Sequence, residues 1–154
     1  MKKTVIILAA LTISALVGAQ GIDLSGNWKL NSSKSKLNAE FSMAPKSINI
    51  AQNGDALSVE RHSEFQGQEF VNTDKLTLDG KECINPGFMD SQKKSTAVWS
   101  DDKKSLKVTS KIEMGDGNEM VITEIYKMDG GSLVIDSSSS SSFGDMAETM
   151  VYDK

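Results

Sequence analysis

The chain has 154 residues, with 17 Lys and Arg against 21 Asp and Glu, one His and one Cys. This length is typical of one domain, and a net charge of -4 gives no basic surface for binding nucleic-acid phosphates. A lone Cys excludes an internal disulfide, and one His with one Cys does not supply the usual ligands of a zinc site. The composition therefore indicates a soluble acidic domain, and we expect no metal, no cofactor and no hydrolytic centre.

Residues 1–19 have the pattern of a secretory signal peptide: two lysines, an apolar run over 5–17, and small residues up to Ala19. A membrane-spanning helix needs about 20 apolar residues, and this run is shorter. We predict cleavage after Ala19 and no membrane span. The remaining domain, residues 20–154, would carry 15 basic and 21 acidic residues, a charge of -6, and would be periplasmic or secreted.

The rest of the chain alternates apolar and polar residues between short turns rich in Asn, Asp and Gly, which tolerate the backbone of tight hairpins. Strands joined by hairpins at such short spacings are typical of an all-β sandwich or barrel. We predict an up-and-down antiparallel β-barrel of about eight to ten strands. The predicted strands are 24–30, 46–52, 56–65, 69–78, 95–100, 105–114, 119–128, 132–142 and 146–152, with a tenth at 82–85 if that segment also pairs.

Three segments depart from this rhythm. The stretch 31–45 is too long for a hairpin, and we predict a short helical segment at 35–41 that ends before Pro45 and covers one end of the barrel. The connection 84–94 is predicted to be a flexible rim loop. Six consecutive serines at 137–142 have the composition of a linker, but an apolar run leads into them and we predict a strand.

Alternation assigns five polar side chains to the inner face of the barrel: Arg61, Asp74, Glu124, Tyr126 and Glu148. One interpretation is a water-containing cavity in which Arg61 binds the polar or anionic head of a ligand and the inward acids and Tyr126 line the same site. The other is an internal network of ion pairs and hydrogen bonds that binds nothing. Strand period alone leaves both interpretations open.

The lone histidine and cysteine do not indicate catalysis. His62 alternates outward beside Glu60 and Glu64, as a solvated surface residue does, and no nucleophile with an activating base is evident. Cys83 is either a small buried apolar residue or an exposed thiol. The seven methionines after the initiator suit an adaptable cavity or simple gap-filling in the core. We therefore predict no catalytic residues.

The first predicted strand contains Gly26 and Trp28 in a Gly-x-Trp-Lys-Leu-Asn run, and the chain ends in Val-Tyr-Asp-Lys. This pattern resembles the lipocalin and calycin barrels, and more closely the small exported lipocalin-like proteins of bacteria. The resemblance implies that Trp28 packs as a plug across the closed end of the barrel, with Gly26 allowing a sharp bend. Lipocalins usually stack an Arg of the last strand on this Trp, whereas here the only basic residue in 146–154 is Lys154.

The resemblance implies binding of a small apolar molecule, and it identifies no ligand residues. We expect a non-enzymatic exported barrel that binds a small hydrophobic or amphipathic ligand near Arg61. The alternative is a scaffold for protein-protein interaction or inhibition that uses its rim loops, above all 84–94. An enzyme using the inward carboxylates is the third hypothesis.

Overall fold

The computed structural model describes residues 20–87, 89–115 and 117–154, so the predicted signal peptide, 1–19, lies outside the described residues. Within those ranges no helix is long and apolar enough to cross a membrane. The described residues form ten strands, all antiparallel, which confirms the predicted all-β class. They are β1 (Gly26–Leu30), β2 (Ser47–Asn53), β3 (Ala56–Phe65), β4 (Gln68–Thr77), β5 (Cys83–Pro86), β6 (Gln92–Trp99), β7 (Ser105–Gly115), β8 (Asn118–Asp129), β9 (Ser132–Ser141) and β10 (Gly144–Asp153).

The strands make one sheet in the order β4-β3-β2-β1-β10-β9-β8-β7-β6-β5. Neighbours in the chain are therefore neighbours in the sheet, except that β1 also pairs with β10 and that β4 and β5 are the two edges. The side chain of Asn85 on β5 joins these edges by hydrogen bonds to the backbone of Lys75 on β4. The result is a nearly closed up-and-down barrel, as predicted.

The predicted helical segment at 35–41 is wrong, because the described part of the connection between β1 and β2 contains no helix. Lys36 instead exchanges both backbone hydrogen bonds with Thr149 of β10, at 2.7 and 3.0 Å. Before it, the Asn31 side chain accepts from the Lys34 amide at 3.2 Å and holds a tight turn. Pairing with an existing strand satisfies these backbone groups, whereas one isolated helical turn is unfavourable to form.

The predicted rim loop 84–94 is also wrong in most of its length, because β5 and β6 form a hairpin in which Pro86 pairs with Gln92. Only the residues between the two strands form a connection, which is closed by a 2.7 Å hydrogen bond from the Gly87 amide to the Ser91 carbonyl. Strand β6 begins three residues earlier than predicted, at Gln92. The serine run extends β9 as far as Ser141, which confirms the strand prediction for that segment.

The two ends of the barrel differ. The closed end carries the turns that follow β2, β4, β6 and β8, and residues 20–25 lie across it: the Ile22 amide donates to the Lys103 carbonyl at 3.1 Å, and the Leu24 amide to the Gln52 side chain at 3.1 Å. The open end carries the other hairpin tips and the segment between β1 and β2. The buried core occupies the closed half of the lumen and includes Leu24, Trp28, Ile48, Leu57, Val59, Leu76, Leu106, Val108, Tyr126, Leu133, Ile135, Met150 and Tyr152.

The closed end is filled by Trp28, which is almost fully buried and donates from its indole N–H to the Leu24 carbonyl at 3.0 Å. The ammonium group of Lys154 lies 5.0 Å from the centre of the Trp28 ring, within cation–π distance. At Gly26 the backbone has a φ of +153°, and an added Cβ would lie 3.1 Å from the Lys154 side chain and 3.2 Å from Trp28. Glycine at position 26 therefore leaves room for the Lys154 side chain to contact the Trp28 ring.

Candidate functional site

A belt of five polar side chains crosses the lumen just above the buried core. We call these residues, Arg61, Asp74, Lys93, Glu124 and Tyr126, the charged belt. They come from four strands, β3, β4, β6 and β8, and each occupies an inward position of its strand's alternation. Strand period thus explains why polar residues far apart in the chain share one surface.

Arg61 is the centre of the belt. Its Nη1 donates to Asp74 Oδ2 at 2.5 Å, and its Nη2 donates to Glu124 Oε2 at 2.9 Å and to the Tyr126 hydroxyl oxygen at 2.6 Å. The Tyr126 hydroxyl in turn donates to Glu124 Oε2 at 3.0 Å. The structure therefore brings together four of the five inward residues that the sequence identified as candidate ligand-binding residues.

Lys93 is the belt residue that sequence analysis missed. Its Nζ lies 2.6 Å from Asp74 Oδ1 and donates to Oδ2 at 2.7 Å, so Asp74 is held by two cations. The prediction of a loop over 84–94 placed Lys93 outside any strand. The sequence does contain a pattern that points to Lys93. Ser95 and Ala97 are inward residues of β6, and the same two-residue alternation extended back by one step places Lys93 on the inner face.

The belt is mostly withdrawn from water. The exposed fractions of the charged side chains are 14% for Arg61, 5% for Asp74 and 14% for Glu124, and Tyr126 is fully buried. Burial disfavours the guanidinium charge, but Glu124, Tyr126 and Asp74 together raise the pKa of Arg61 well above its usual value. Burial also raises the pKa of the Tyr126 hydroxyl well above its usual value, so it remains a neutral hydrogen-bond donor.

Glu148, the fifth inward candidate, does not join the charged belt. It lies on the inner face of β10, and its Oε1 accepts a hydrogen bond from the Asn38 amide at 2.8 Å. No lysine, arginine or histidine in the described ranges lies within salt-bridge distance of its carboxylate. Its assignment to a ligand site stays a prediction, as does that of the belt residues.

Above the belt, apolar inward side chains lie beside polar ones such as Ser63, Gln68 and Ser139, and we call this region the open half. Phe65 and Phe70 are about half exposed although they occupy inward positions of β3 and β4. Phe65 lies four residue steps beyond Arg61, about 13 Å along the strand and about 10 Å along the axis of a barrel whose strands tilt by about 40°. The other apolar side chains at inward positions of the open half are Ile112, Met120, Ile122 and Met146.

Outside the lumen the structure offers less chemistry. His62 lies on the outer face, as predicted, with Nε2 2.7 Å from Glu60 Oε1. Cys83 is a free thiol of intermediate burial that packs against the edge of the core. Two shallow grooves run over the outer faces of β8, β9 and β10, lined mainly by small residues such as Thr123, Ser138 and Ala147. Among the described residues, no group of three or more His, Cys, Asp or Glu could hold a metal ion.

Comparison with known proteins identifies the fold. No known protein family matches the chain, and no curated protein matches it significantly. Several solved structures are similar to this chain, and three of them cover 84–85% of it at 12–18% sequence identity. They are zebrafish ileal bile acid-binding protein complexed with cholic acid (18% identity, 84% of this chain, 97% of that one, TM-score 0.56), a secretory abundant heat soluble protein of Ramazzottius varieornatus (15%, 85%, 94%, 0.57) and apo lipid binding protein 8 of Caenorhabditis elegans (12%, 84%, 94%, 0.54). The likeness shows a calycin-type β-barrel.

Proposed function

We propose that this protein is a non-enzymatic, exported carrier barrel that binds a small hydrophobic or amphipathic molecule in the open half. One observation carries the proposal: Phe65 and Phe70, large apolar side chains on the inner face between the charged belt and the mouth, are about half exposed, while the half below the belt is packed. An eight- to ten-stranded barrel is wide enough to hold one small ligand where side chains do not fill it. The ligand would be short, because the open half is only about 10 Å deep on the strand geometry given above.

The similar structures support this proposal. Two of them are named for binding a bile acid and a lipid, and the bile acid-binding protein was crystallised with cholic acid. The methionines of the open half add to it, because Met120 and Met146 are flexible side chains that adapt to guests of different shape. Export rests on the signal-peptide pattern of residues 1–19.

The proposal is tested with N-phenyl-1-naphthylamine, an uncharged dye that fluoresces in apolar sites, and with a matched pair of variants. Phe70 and Val71 are adjacent on β4 and similarly exposed, at 51% and 57%, but Phe70 points into the lumen and Val71 away from it. A charge at Phe70 puts a solvated group in the ligand's path. We expect Phe70→Asp to weaken dye binding at least tenfold and Val71→Asp to change it less than twofold.

Native mass spectrometry and solvent extraction of the protein purified from its own envelope complete the test. Extraction of a small lipophilic molecule from the wild type, and its absence after Phe70→Asp, supports the proposal. A wild-type protein that neither enhances dye fluorescence nor carries an extractable molecule contradicts it.

The second candidate function is a protein-binding scaffold, and the exposed apolar side chains around the open end favour it. Phe41, Met43, Met89 and Phe143 are each at least half exposed and lie in connections rather than on the inner face. A partner retained from envelope extract by Arg61→Ala, but lost when residues 87–91 are replaced by a short Gly-Ser turn, would support this function over ligand binding. Loss of the partner in Arg61→Ala alone would count against it.

A further inference from the structure

We propose that the open half selects ligands whose head group donates hydrogen bonds and carries no negative charge, such as an alkyl alcohol, over carboxylates of the same chain length. The inference rests on the proposed function and names the ligand class of that same site. Three features of the lumen carry it: the charge balance of the belt, an unpaired acceptor beside it, and a further carboxylate level with Glu124.

The positive charge of the belt is already matched. Arg61 contacts Asp74 through Nη1 and Glu124 through Nη2, and Lys93 is a second cation that contacts Asp74. Two cations and two carboxylates, each at least 86% buried, leave no net charge. An incoming carboxylate would find no free cation and would meet the oxygens of two like charges in a region of low dielectric.

An acceptor that lacks a donor lies beside the belt. Asn72 faces Arg61 across the β3–β4 pair at the step nearer the mouth, and its Oδ1 is buried with no hydrogen-bond partner among the described residues. A buried acceptor without a donor costs free energy that a ligand donor recovers. Hydroxyl, amide or ammonium groups supply such a donor, whereas a carboxylate has none.

A row of three inward side chains, two of which are carboxylates, adds to this preference. Ser137 of β9 pairs with Glu124 of β8 on one side and with Glu148 of β10 on the other, so the three inward side chains lie level with one another. Glu148 has no cationic partner among the described residues, as shown above. The inner faces of the ten strands therefore carry two cations and three acids, a net charge of -1, which repels an anionic head and accepts hydrogen bonds from a neutral one.

The test is displacement of N-phenyl-1-naphthylamine by 1-decanol and by decanoate at pH 8, below their aggregation limits. Because 1-decanol is the more hydrophobic competitor, the decisive quantity is how the decanol-to-decanoate affinity ratio changes between variants. Glu124→Gln removes one of the two negative charges that are paired with Arg61. We expect it to lower that ratio at least tenfold by improving decanoate binding. Glu64→Gln, the same change on the outer face of β3, is expected to leave the ratio within twofold of wild type.

Glu148→Gln gives a second reading if Glu124→Gln fails to fold, because Glu148 is not part of the belt's hydrogen bonds, and we expect it to lower the ratio at least threefold. A ratio that stays within twofold of wild type in the folded inner-face variants overturns the inference while leaving the proposed function intact. A wild-type protein that binds no dye at all overturns both. Wild-type preference for 1-decanol together with the shift toward decanoate in Glu124→Gln establishes the selectivity.

Discussion

The side-chain amide of Asn85 pairs with the backbone of Lys75 as a neighbouring strand would: its Oδ1 accepts from the Lys75 amide at 2.8 Å and its Nδ2 donates to the Lys75 carbonyl at 3.1 Å. Strands β4 and β5 are the edges of the sheet and form no backbone ladder with each other. Together with the Lys93–Asp74 ion pair, which joins β6 to β4, this buried side chain closes the barrel at the one seam in the described sheet order. An unpaired edge is a weak point in a sheet, and this contact covers it.

We expect Asn85→Leu to destabilise the protein by about 2 kcal/mol, because two hydrogen bonds are lost and a backbone donor and acceptor beside the seam are left unpaired. Urea unfolding measures the loss, and amide hydrogen exchange at Lys75 is expected to accelerate at least tenfold. Asn49→Ala, which removes a surface hydrogen bond to Glu60 on the neighbouring strand, is the control and should cost less than about 1 kcal/mol. Equal losses in both variants would show that the Asn85 bridge does not close the seam.

Strand period was sufficient to predict the inner face of this barrel, because a two-residue alternation assigns each side chain to one side once a strand is recognised. Arg61, Asp74, Glu124 and Tyr126 follow from it directly. The distances between them do not, because they depend on the register and tilt of strands that are remote in the chain. That is why Glu148, which has the same alternation as its neighbours on β10, lies apart from the belt.

The errors have local causes. A stretch such as 35–41 has no apolar periodicity of its own, so its structure is decided by the free edge of β10, which pairs with Lys36. The sequence predicts a loop in place of the β5–β6 hairpin because Pro and Gly stand together in the run Pro86-Gly87, although the structure uses both residues at the end of β5 and in the turn after it. Because β6 is predicted to begin only at residue 95, Lys93 is absent from the predicted site.

Arg61 should be the residue whose loss destabilises the fold most among the belt residues. We expect Arg61→Met to cost about 3–5 kcal/mol, because Glu124 is left buried without a cation, and the double variant Arg61→Met, Glu124→Gln to recover at least half of that loss. Urea unfolding checks both the loss and its recovery; a double variant no more stable than the single one contradicts the pairing.

Asp153 makes a pH-dependent tie at the C-terminal end of β10. Hydrogen bonds from Ser132, Asn31 and Lys34 lower the pKa of its carboxyl from 3.8 to about 2. Because the carboxyl has a lower pKa in the folded state than in the unfolded chain, its negative charge stabilises the fold at pH values above the unfolded pKa. This contribution is lost as the pH falls from about 4 to about 2. We therefore expect the difference in melting temperature between wild type and Asp153→Asn to be constant above pH 5 and to shrink between pH 4 and pH 2.

A control variant separates this tie from general loss of an acid. Asp55→Asn, which removes a carboxylate with no side-chain hydrogen bond among the described residues from the exposed turn between β2 and β3, is the control over the same pH interval. Because the Asp153 side chain is partly exposed, added salt should weaken the part that comes from Lys34 and leave the bonds from Ser132 and Asn31. A difference in melting temperature that grows toward pH 2 would contradict the assignment.

The contact between Lys154 and Trp28 predicts a measurable coupling between the last residue and the first strand. We expect Trp28→Phe to cost about 1–3 kcal/mol, because the indole hydrogen bond to the Leu24 carbonyl and part of the buried ring are lost. Lys154→Ala should cost less than about 1 kcal/mol, and Lys154→Arg should restore wild-type stability, because a guanidinium also binds the face of the ring. In a double-mutant cycle by urea unfolding, Trp28→Phe and Lys154→Ala should show a coupling free energy of about 0.5 kcal/mol. Strictly additive losses would mean that the ammonium group and the ring do not stabilise each other.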